Sequence, residues 1–296
     1  MGNKPKLSKR KLKTRKKIEK ELGISVDELE KLDYYDIMSH IEFPLFALGG
    51  LKSTEHLLEM CRISEDKKVL IVGCGQGNTA IHIAKKYECE VIGIDIAEYM
   101  IKKAIEKIEA EPEEISNLVS FEIGDAYDLQ FEERIFDLVI SQFTSQFLDL
   151  DKAFKEFSRI LKSGGYIGLN EMYKMEDIPE KKQELIELGK KQFTKAIGLD
   201  FRLYPPSVWK KSLESASMTE IQIEEHPDKV KVKGLIKQIG GWKKLFKIVG
   251  IVLKLYRSSK IIKKIFKNIS KGKRYLMRKR YGGKYIGYIL ISAKKP

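Results

Sequence analysis

The sequence predicts a doubly wound α/β domain on a mostly parallel, seven-stranded sheet, with helices before it and a basic helical insertion ahead of the last strand. Three observations carry that expectation. Short apolar runs rich in Val and Ile alternate with amphipathic helical segments. One run ends in a glycine turn, Gly73-Cys74-Gly75-Gln76-Gly77, that opens a helix. The basic residues gather at the two ends of the chain, away from this alternating body.

The chain has 296 residues, 43% of them hydrophobic, enough to bury a sizeable core. Residues 1–20 hold 10 Lys/Arg and one acid, and residues 229–296 hold 22 Lys/Arg and no acid. Removing these from the 56 basic and 42 acidic residues leaves 24 against 41 across 21–228, a net charge of −17. The formal charge of +14 therefore describes two basic ends on an acidic body.

Residues 1–23 read as a basic tail, frayed and solvated or forming a short helix. From Ile24 to Ile63 the pattern is helical: Ser25 with Glu28 makes a capping box, and Leu48-Gly49-Gly50-Leu51 breaks the run before Ser53. Strands are then expected over Lys68–Val72, Glu90–Ile94, Val119–Ile123, Phe136–Ser141 and Gly165–Asn170, with helices over Asn78–Lys86, Ala97–Ala110 and Leu150–Leu161 between them. A polar helix at Glu180–Gly198, a helix at Ser207–Ala216 and a strand at Glu220–Glu225 follow. Residues 24–228 thus form the main domain, 229–283 the basic insertion and 284–296 the last strand of the same sheet, Tyr285–Ala293. The insertion reads as too lysine-rich to bury itself.

Cys61, Cys74 and Cys89 have neither an even count nor ligand spacing, which argues against a disulfide framework and a structural zinc site. No apolar run reaches the roughly 18 residues that a spanning helix needs, and no signal-peptide pattern follows the basic start. A cytoplasmic chain, held peripherally at most on the inner face of a membrane, is the expectation.

At the glycine turn, side chains would collide with a closely approaching ligand, and the helix start offers free N–H groups. Asp95 ends the second strand about twenty residues further on, where a carboxylate accepts from ribose hydroxyls. Up to this point NAD and S-adenosylmethionine are both allowed. Glu122-Ile123-Gly124-Asp125-Ala126 puts an acid at the end of the third strand, suited to an adenine amino group, and Phe136 to Gln142 leads to the same sheet edge. Asp95 and Asp125 also read as plain strand-end caps, and Cys74 as a small buried filler.

With these residues in place, the chain resembles the class I S-adenosylmethionine-dependent methyltransferases, and among them the branch similar to ubiquinone/menaquinone-biosynthesis methyltransferases, over about residues 34–228 and the last strand. The resemblance implies the Rossmann-like methyltransferase fold and S-adenosylmethionine as cofactor. It places Gly73, Cys74, Gly75 and Gly77 beside the methionine part, Asp95 on the ribose, Ile96 and Met100 over the adenine, Asp125 and Ala126 at its edge, and Gln142 on the sulfonium side. One position departs from the pattern. The Asp or Glu usual two places before the first glycine is Ile71 here.

A sulfonium is already an activated methyl donor, so alignment and exclusion of water suffice, and no metal is required. Tyr34, Tyr35 and Phe43 are candidates for an aromatic lid, by cation–π attraction or as core packing. The resemblance places His40, before the sheet, and Glu171, after the fifth strand, where the family has substrate groups, so these two and Tyr35 are the candidate catalytic residues, with a purely structural role as the alternative; Ser145 and Gln146 are candidates for lining the pocket. The resemblance gives the reaction class and leaves the acceptor open: a small or lipid-like molecule, such as a quinone precursor or a lipid headgroup.

In the insertion, Ile261, Ile262, Ile265, Phe266 and Ile269 form one stripe, and Trp242, Leu245, Phe246, Val249, Leu253 and Tyr256 another. Their lysine faces suit an anionic membrane surface through residues 235–280. Docking on the protein's own core is the bland alternative. RNA, stacked on Tyr275, Tyr281 and Tyr285, ranks behind the membrane, because the neighbouring body is acidic and no RNA-binding module is recognisable. A non-catalytic, cofactor-binding scaffold is the remaining alternative.

Overall fold

The computed structural model describes residues 8–41, 49–227 and 241–296. Four helices come first: α1 (Lys9–Leu22), α2 (Val26–Leu29), α3 (Tyr34–His40) and α4 (Leu51–Met60). Ser8 caps α1 by accepting from Lys11 N, and Gly23 ends it in the left-handed region at φ 69. The capping box read from Ser25 and Glu28 forms at α2.

The alternating body follows as β1 (Lys68–Val72), α5 (Asn78–Tyr87), β2 (Glu90–Asp95), α6 (Glu98–Ile108), α7 (Glu113–Ser116), β3 (Val119–Ile123), β4 (Phe136–Gln142), a 3₁₀ turn at Ser145–Phe147, α8 (Leu150–Ile160) and β5 (Leu161–Lys174). Then come α9 (Glu180–Ile197), α10 (Pro206–Ser215), β6 (Thr219–His226), α11 (Trp242–Ser258), α12 (Lys260–Met277) and β7 (Ile286–Lys294). The seven strands lie in the order β3-β2-β1-β4-β5-β7-β6, the first five parallel and β7 antiparallel to both its neighbours.

Strand placement follows the apolar runs, with one clear difference. The strand expected over Gly165–Asn170 extends over Leu161–Lys174, because β7 pairs with it continuously from Tyr166 to Lys174 and supplies partners for backbone that composition alone leaves as loop. On one face of the sheet, Phe136, Phe154, Phe157 and Trp209 pack with β4, β5, α8 and α10; on the other, Leu57, Ile71, Ile83 and Ile140 join α4 and α5 to the strands. Both faces are covered, as a parallel sheet requires.

The ends of the chain behave differently from their composition. Residues 8–23, within the expected tail, are a helix that is not wholly solvated: α1 packs along α11, and Ile18, Val26, Leu29 and Ile37 share a core with Ile248, Ile251, Leu255 and Ile262. Nor are the described residues of the insertion, 241–283, left unburied. α12 crosses α9 where each helix carries a glycine: a Cβ on Gly189 would stand 2.6 Å from Leu276 Cδ2, and one on Gly272 would stand 2.5 Å from Phe193 Cδ2. Glycine at both positions lets the two backbones approach closely. The lysines of α11 and α12 stay at the surface while a narrow apolar edge of each helix is buried.

Candidate active site

The strand order reverses direction between β1 and β4, so their carboxyl ends diverge into a crevice. The glycine turn fills the start of that crevice. Gly73, Gly75 and Gly77 all have positive φ, at 70, 53 and 77, a conformation side chains oppose. At Gly73 and Gly77 an added Cβ would also strike Thr144 and Phe121, whereas at Gly75 it would meet nothing within 4 Å. The backbone at Gly75 borders open space. Ile71, in the place of the expected acid, is buried in the core below the turn and offers no charge to a ligand.

Asp95 ties the turn to β2. Its Oδ2 accepts from Gly75 N at 2.9 Å and its Oδ1 from Ala97 N at 2.9 Å. Each carboxylate oxygen has a second lone pair, so both remain able to accept from ribose hydroxyls. Burial holds its pKa above the usual range, against the lowering effect of the two N–H groups. Asp36, on α3, comes close enough to interact with Asp95; burial, Asp33 and Asp95 push it up to about 6. Sequence reading missed Asp36, which reaches the crevice from a helix remote in sequence.

Asp125 lies exposed past the end of β3, accepting from Tyr127 N at 2.9 Å, with Ala126 buried beside it. Ile96 is 73% exposed at the rim, while Met100 is buried on the first turn of α6. Gln142, at the end of β4, is clamped from two helices: it donates to Thr54 Oγ1 at 3.0 Å and accepts from Thr79 Oγ1 at 3.2 Å. Those threonines carry no pattern in sequence. Cys74 is a thiol: burial and the nearby Asp95 raise its pKa well above the ordinary value. The turn, its flanking acids and Gln142 together fit the adenosyl and methionine parts of S-adenosylmethionine.

Beyond Gln142 the sheet edge becomes enclosed. Glu171 on β5 is fully buried; its Oε1 accepts from Ser145 N at 2.8 Å, Thr144 N at 3.1 Å and Ser141 Oγ at 3.1 Å. Its Oε2 is buried without a partner among the described residues. Burial pushes its pKa up to about 7 even though hydrogen bonding from Ser145, Thr144, Ser141 and Gln146 opposes that shift. The Tyr35 hydroxyl is likewise buried without a partner among the described residues; burial, then Tyr34, Asp33 and Glu171, raise its pKa. The Tyr35 ring meets Phe147 edge-on at 6.0 Å, and Phe147 meets Phe143 at 6.1 Å and Phe201 at 5.7 Å. Gln146 adds a third buried unpartnered atom, Nε2, while its Oε1 accepts from Met172 N at 3.2 Å.

The structure therefore brings Tyr35, Glu171, Ser145 and Gln146 into one neighbourhood and separates His40 from them. His40 stacks on Tyr99 of α6 at 3.9 Å, with Nδ1 2.9 Å from the Tyr99 hydroxyl. Burial and Lys103 hold its pKa below the ordinary value. Phe43 lies outside the described residues.

Residues 70–169 match the family model of a methyltransferase domain. Among curated relatives, an uncharacterized protein of Haemophilus influenzae is 36% identical over 122 residues, 40% of this chain and 48% of that one. Phosphoethanolamine N-methyltransferase 1 of Arabidopsis thaliana is 27% identical over 181 residues, 61% of this chain and 34% of that one. The sterol 24-C-methyltransferase of Aspergillus fumigatus is 37% identical over 117 residues, 39% and 30% of the two chains. The chain spans less than half the length of each of these three relatives.

Solved structures share the fold, among them the following two. A [4+2]-cyclase, SpnF, superposes with a TM-score of 0.68 at 18% identity, covering 88% of this chain and 93% of that one. Phosphoethanolamine N-methyltransferase 2 of Haemonchus contortus, in complex with phosphomonomethylethanolamine and S-adenosylhomocysteine, gives 0.65 at 20% identity, covering 92% and 60%. The chain thus has a Rossmann-like fold on a seven-stranded sheet, and its residues 70–169 match a methyltransferase domain.

Proposed function

We propose that the protein transfers the methyl group of S-adenosylmethionine to a small or lipid-like acceptor, such as a quinone precursor or a lipid headgroup, at an anionic membrane surface. The observation that carries the chemical part is the enclosed end of the crevice, where Glu171 Oε2 and the Tyr35 hydroxyl stand buried and unpartnered among the described residues. Leaving two such atoms unmade costs folding free energy, about 1–3 kcal/mol each, and an acceptor's polar group would recover it.

In this reading Gly73, Cys74, Gly75 and Gly77 hold the methionine part of the cofactor, Asp95 the ribose, Ile96, Met100, Asp125 and Ala126 the adenine, and Gln142 the sulfonium side. The bound cofactor supplies an already activated methyl group. Tyr35 Oη donates to the acceptor and Glu171 Oε2 takes its proton, a task suited to a group that titrates at about 7. Phe147 and Tyr35 exclude water. His40, engaged with Tyr99, is assigned no proton transfer.

Support for a membrane surface comes from α11. Ile248, Ile251 and Leu255 face the protein's own core, but Trp242, Phe246, Val249 and Leu253, at i, i+4, i+7 and i+11, are 60, 68, 43 and 48% exposed on another side of the helix. An apolar stripe beside a helix without acids suits shallow insertion between anionic headgroups. Among the described residues no helix is long and apolar enough to cross a membrane.

A shared fold does not decide the reaction, as the cyclase illustrates. Incubation with methyl-labelled cofactor and separate lipid, small-metabolite and RNA fractions tests the proposal. Label in lipid or small metabolites is expected. Label in RNA alone, or in no fraction, would overturn it.

A further inference from the structure

Three polar atoms stand buried and unpartnered among the described residues at the enclosed end of the crevice: Glu171 Oε2, the Tyr35 hydroxyl and Gln146 Nε2. Methyl transfer as proposed engages the first two and leaves Gln146 Nε2 idle. Gln146 is fully buried in the 3₁₀ turn after β4, and its amide is held at one end, where Oε1 accepts from Met172 N at 3.2 Å. The neighbouring Ser145 donates its N–H to Glu171 Oε1 at 2.8 Å, and Met172 follows Glu171 on β5, so Gln146 and Glu171 adjoin on both elements.

The donors and acceptors of this wall describe the molecule it receives. A hydroxyl oxygen has one hydrogen and two lone pairs. The hydrogen goes to Glu171 Oε2, one lone pair accepts from the Tyr35 hydroxyl and the other attacks the methyl carbon, so nothing is left for Gln146 Nε2. An amine fits less well, because its one lone pair is spent on the methyl group and it accepts from neither donor. We propose that Gln146 is a specificity residue that donates to a second oxygen of the acceptor, on the carbon beside the reacting hydroxyl, which makes the acceptor a catechol or an enediol. This rests on the methyl-transfer reading. The oxygen–carbon bond forms as the methyl–sulfur bond breaks, that bond's electron pair stays on sulfur, and the hydroxyl proton ends on Glu171 Oε2; the products are a methyl ether and S-adenosylhomocysteine. A phenolic or enolic hydroxyl suits this base. Giving a proton to a group at about 7 is about a thousandfold uphill for a phenol near 10, but more than about a hundred-millionfold for an aliphatic alcohol near water's value of about 15.7. Phe147, edge-on to Tyr35 at 6.0 Å, supplies an aromatic wall for a flat ring.

The full chain with methyl-labelled S-adenosylmethionine tests this on 4-methylcatechol, 4-methylphenol and benzylamine as probes, beside lipid and small-metabolite extracts. The kcat/KM for 4-methylcatechol should exceed that for 4-methylphenol by about tenfold or more, because the single-oxygen probe leaves a buried amide unpaired, and benzylamine should stay unlabelled. Hydriodic acid should release the label as methyl iodide, since it cleaves methyl ethers and leaves carbon-bound methyl groups in place. Gln146→Met, similar in size and without a donor, should bring the ratio to within about twofold by raising KM for the catechol, with S-adenosylhomocysteine binding by calorimetry as the check that the variant is folded. If that variant unfolds, the wild-type ratio still decides. Equal use of the two phenols, preference for benzylamine, label that resists hydriodic acid, an unchanged ratio in folded Gln146→Met, or no labelled probe from an enzyme that labels an extract would each overturn the inference and leave methyl transfer standing. Label in neither probes nor extracts would overturn both.

Discussion

Replacing Glu171 with Gln should change how the stability of the protein depends on pH. The carboxyl is fully buried and titrates at about 7 in the fold, against an ordinary 4.5. A pKa raised on folding means that the native state favours the protonated form. The associated stability is fully present below about 4.5 and is lost as the pH rises through about 7. The gap corresponds to about 3 kcal/mol at 1.36 kcal/mol per pKa unit. Gln keeps an oxygen for the N–H groups of Thr144 and Ser145 but carries no charge at any pH. Urea unfolding at pH 5, 6, 7 and 8 should show the two proteins nearly equal at pH 5, with the variant more stable by up to about 3 kcal/mol at pH 8. Asp36, at about 6, adds a slope of the same sign to both curves, so their difference isolates Glu171. Parallel curves, or a variant less stable at pH 8, would refute the claim that burial dominates at this carboxylate.

Two further outcomes are expected elsewhere in the molecule. Gly189→Ala should lower the urea midpoint despite alanine's better helix propensity, because the added Cβ would stand 2.6 Å from Leu276 Cδ2 and overpacking costs about 1–3 kcal/mol; a raised midpoint would contradict the close crossing of α9 and α12. Phe246→Glu should reduce sedimentation with vesicles of mixed neutral and anionic lipid about tenfold or more, and added salt should weaken the wild type as well; unchanged binding would return the stripe of α11 to an ordinary solvated face.

Much of the fold was legible because its signal is local. Val69 to Val72 are buried on β1, as are Val91 and Ile94 on the neighbouring β2, and an apolar, β-branched run has no other stable place. Glu171 could be singled out because the family resemblance places substrate groups just past the expected end of the fifth strand. Its nearness to Tyr35 was not legible, since α3 and β5 are more than a hundred residues apart in the chain. The same holds for Thr54 and Thr79, which clamp Gln142 from helices on either side of β1. Charge misled at both ends. Ten basic residues in the first twenty outweigh Ile18 and Leu22 in any average, yet one buried isoleucine per few turns suffices to seat α1 on α11. Gly189 and Gly272 read in sequence as weak points of helices, and their role as a crossing point depends on which helix lies opposite. His40 illustrates the converse: its place in the chain suggested the acceptor site, but the turn of α3 points it to Tyr99.

In the proposed reaction the glycine turn and Asp95 hold S-adenosylmethionine. Titration calorimetry of that cofactor into the wild type and Asp95→Ala tests this most directly. The wild type should bind one equivalent. The variant should bind at least about tenfold more weakly, because it loses the acceptor for the ribose hydroxyls and for Gly75 N and Ala97 N. Unchanged affinity in the variant, or no binding by the wild type, would contradict it.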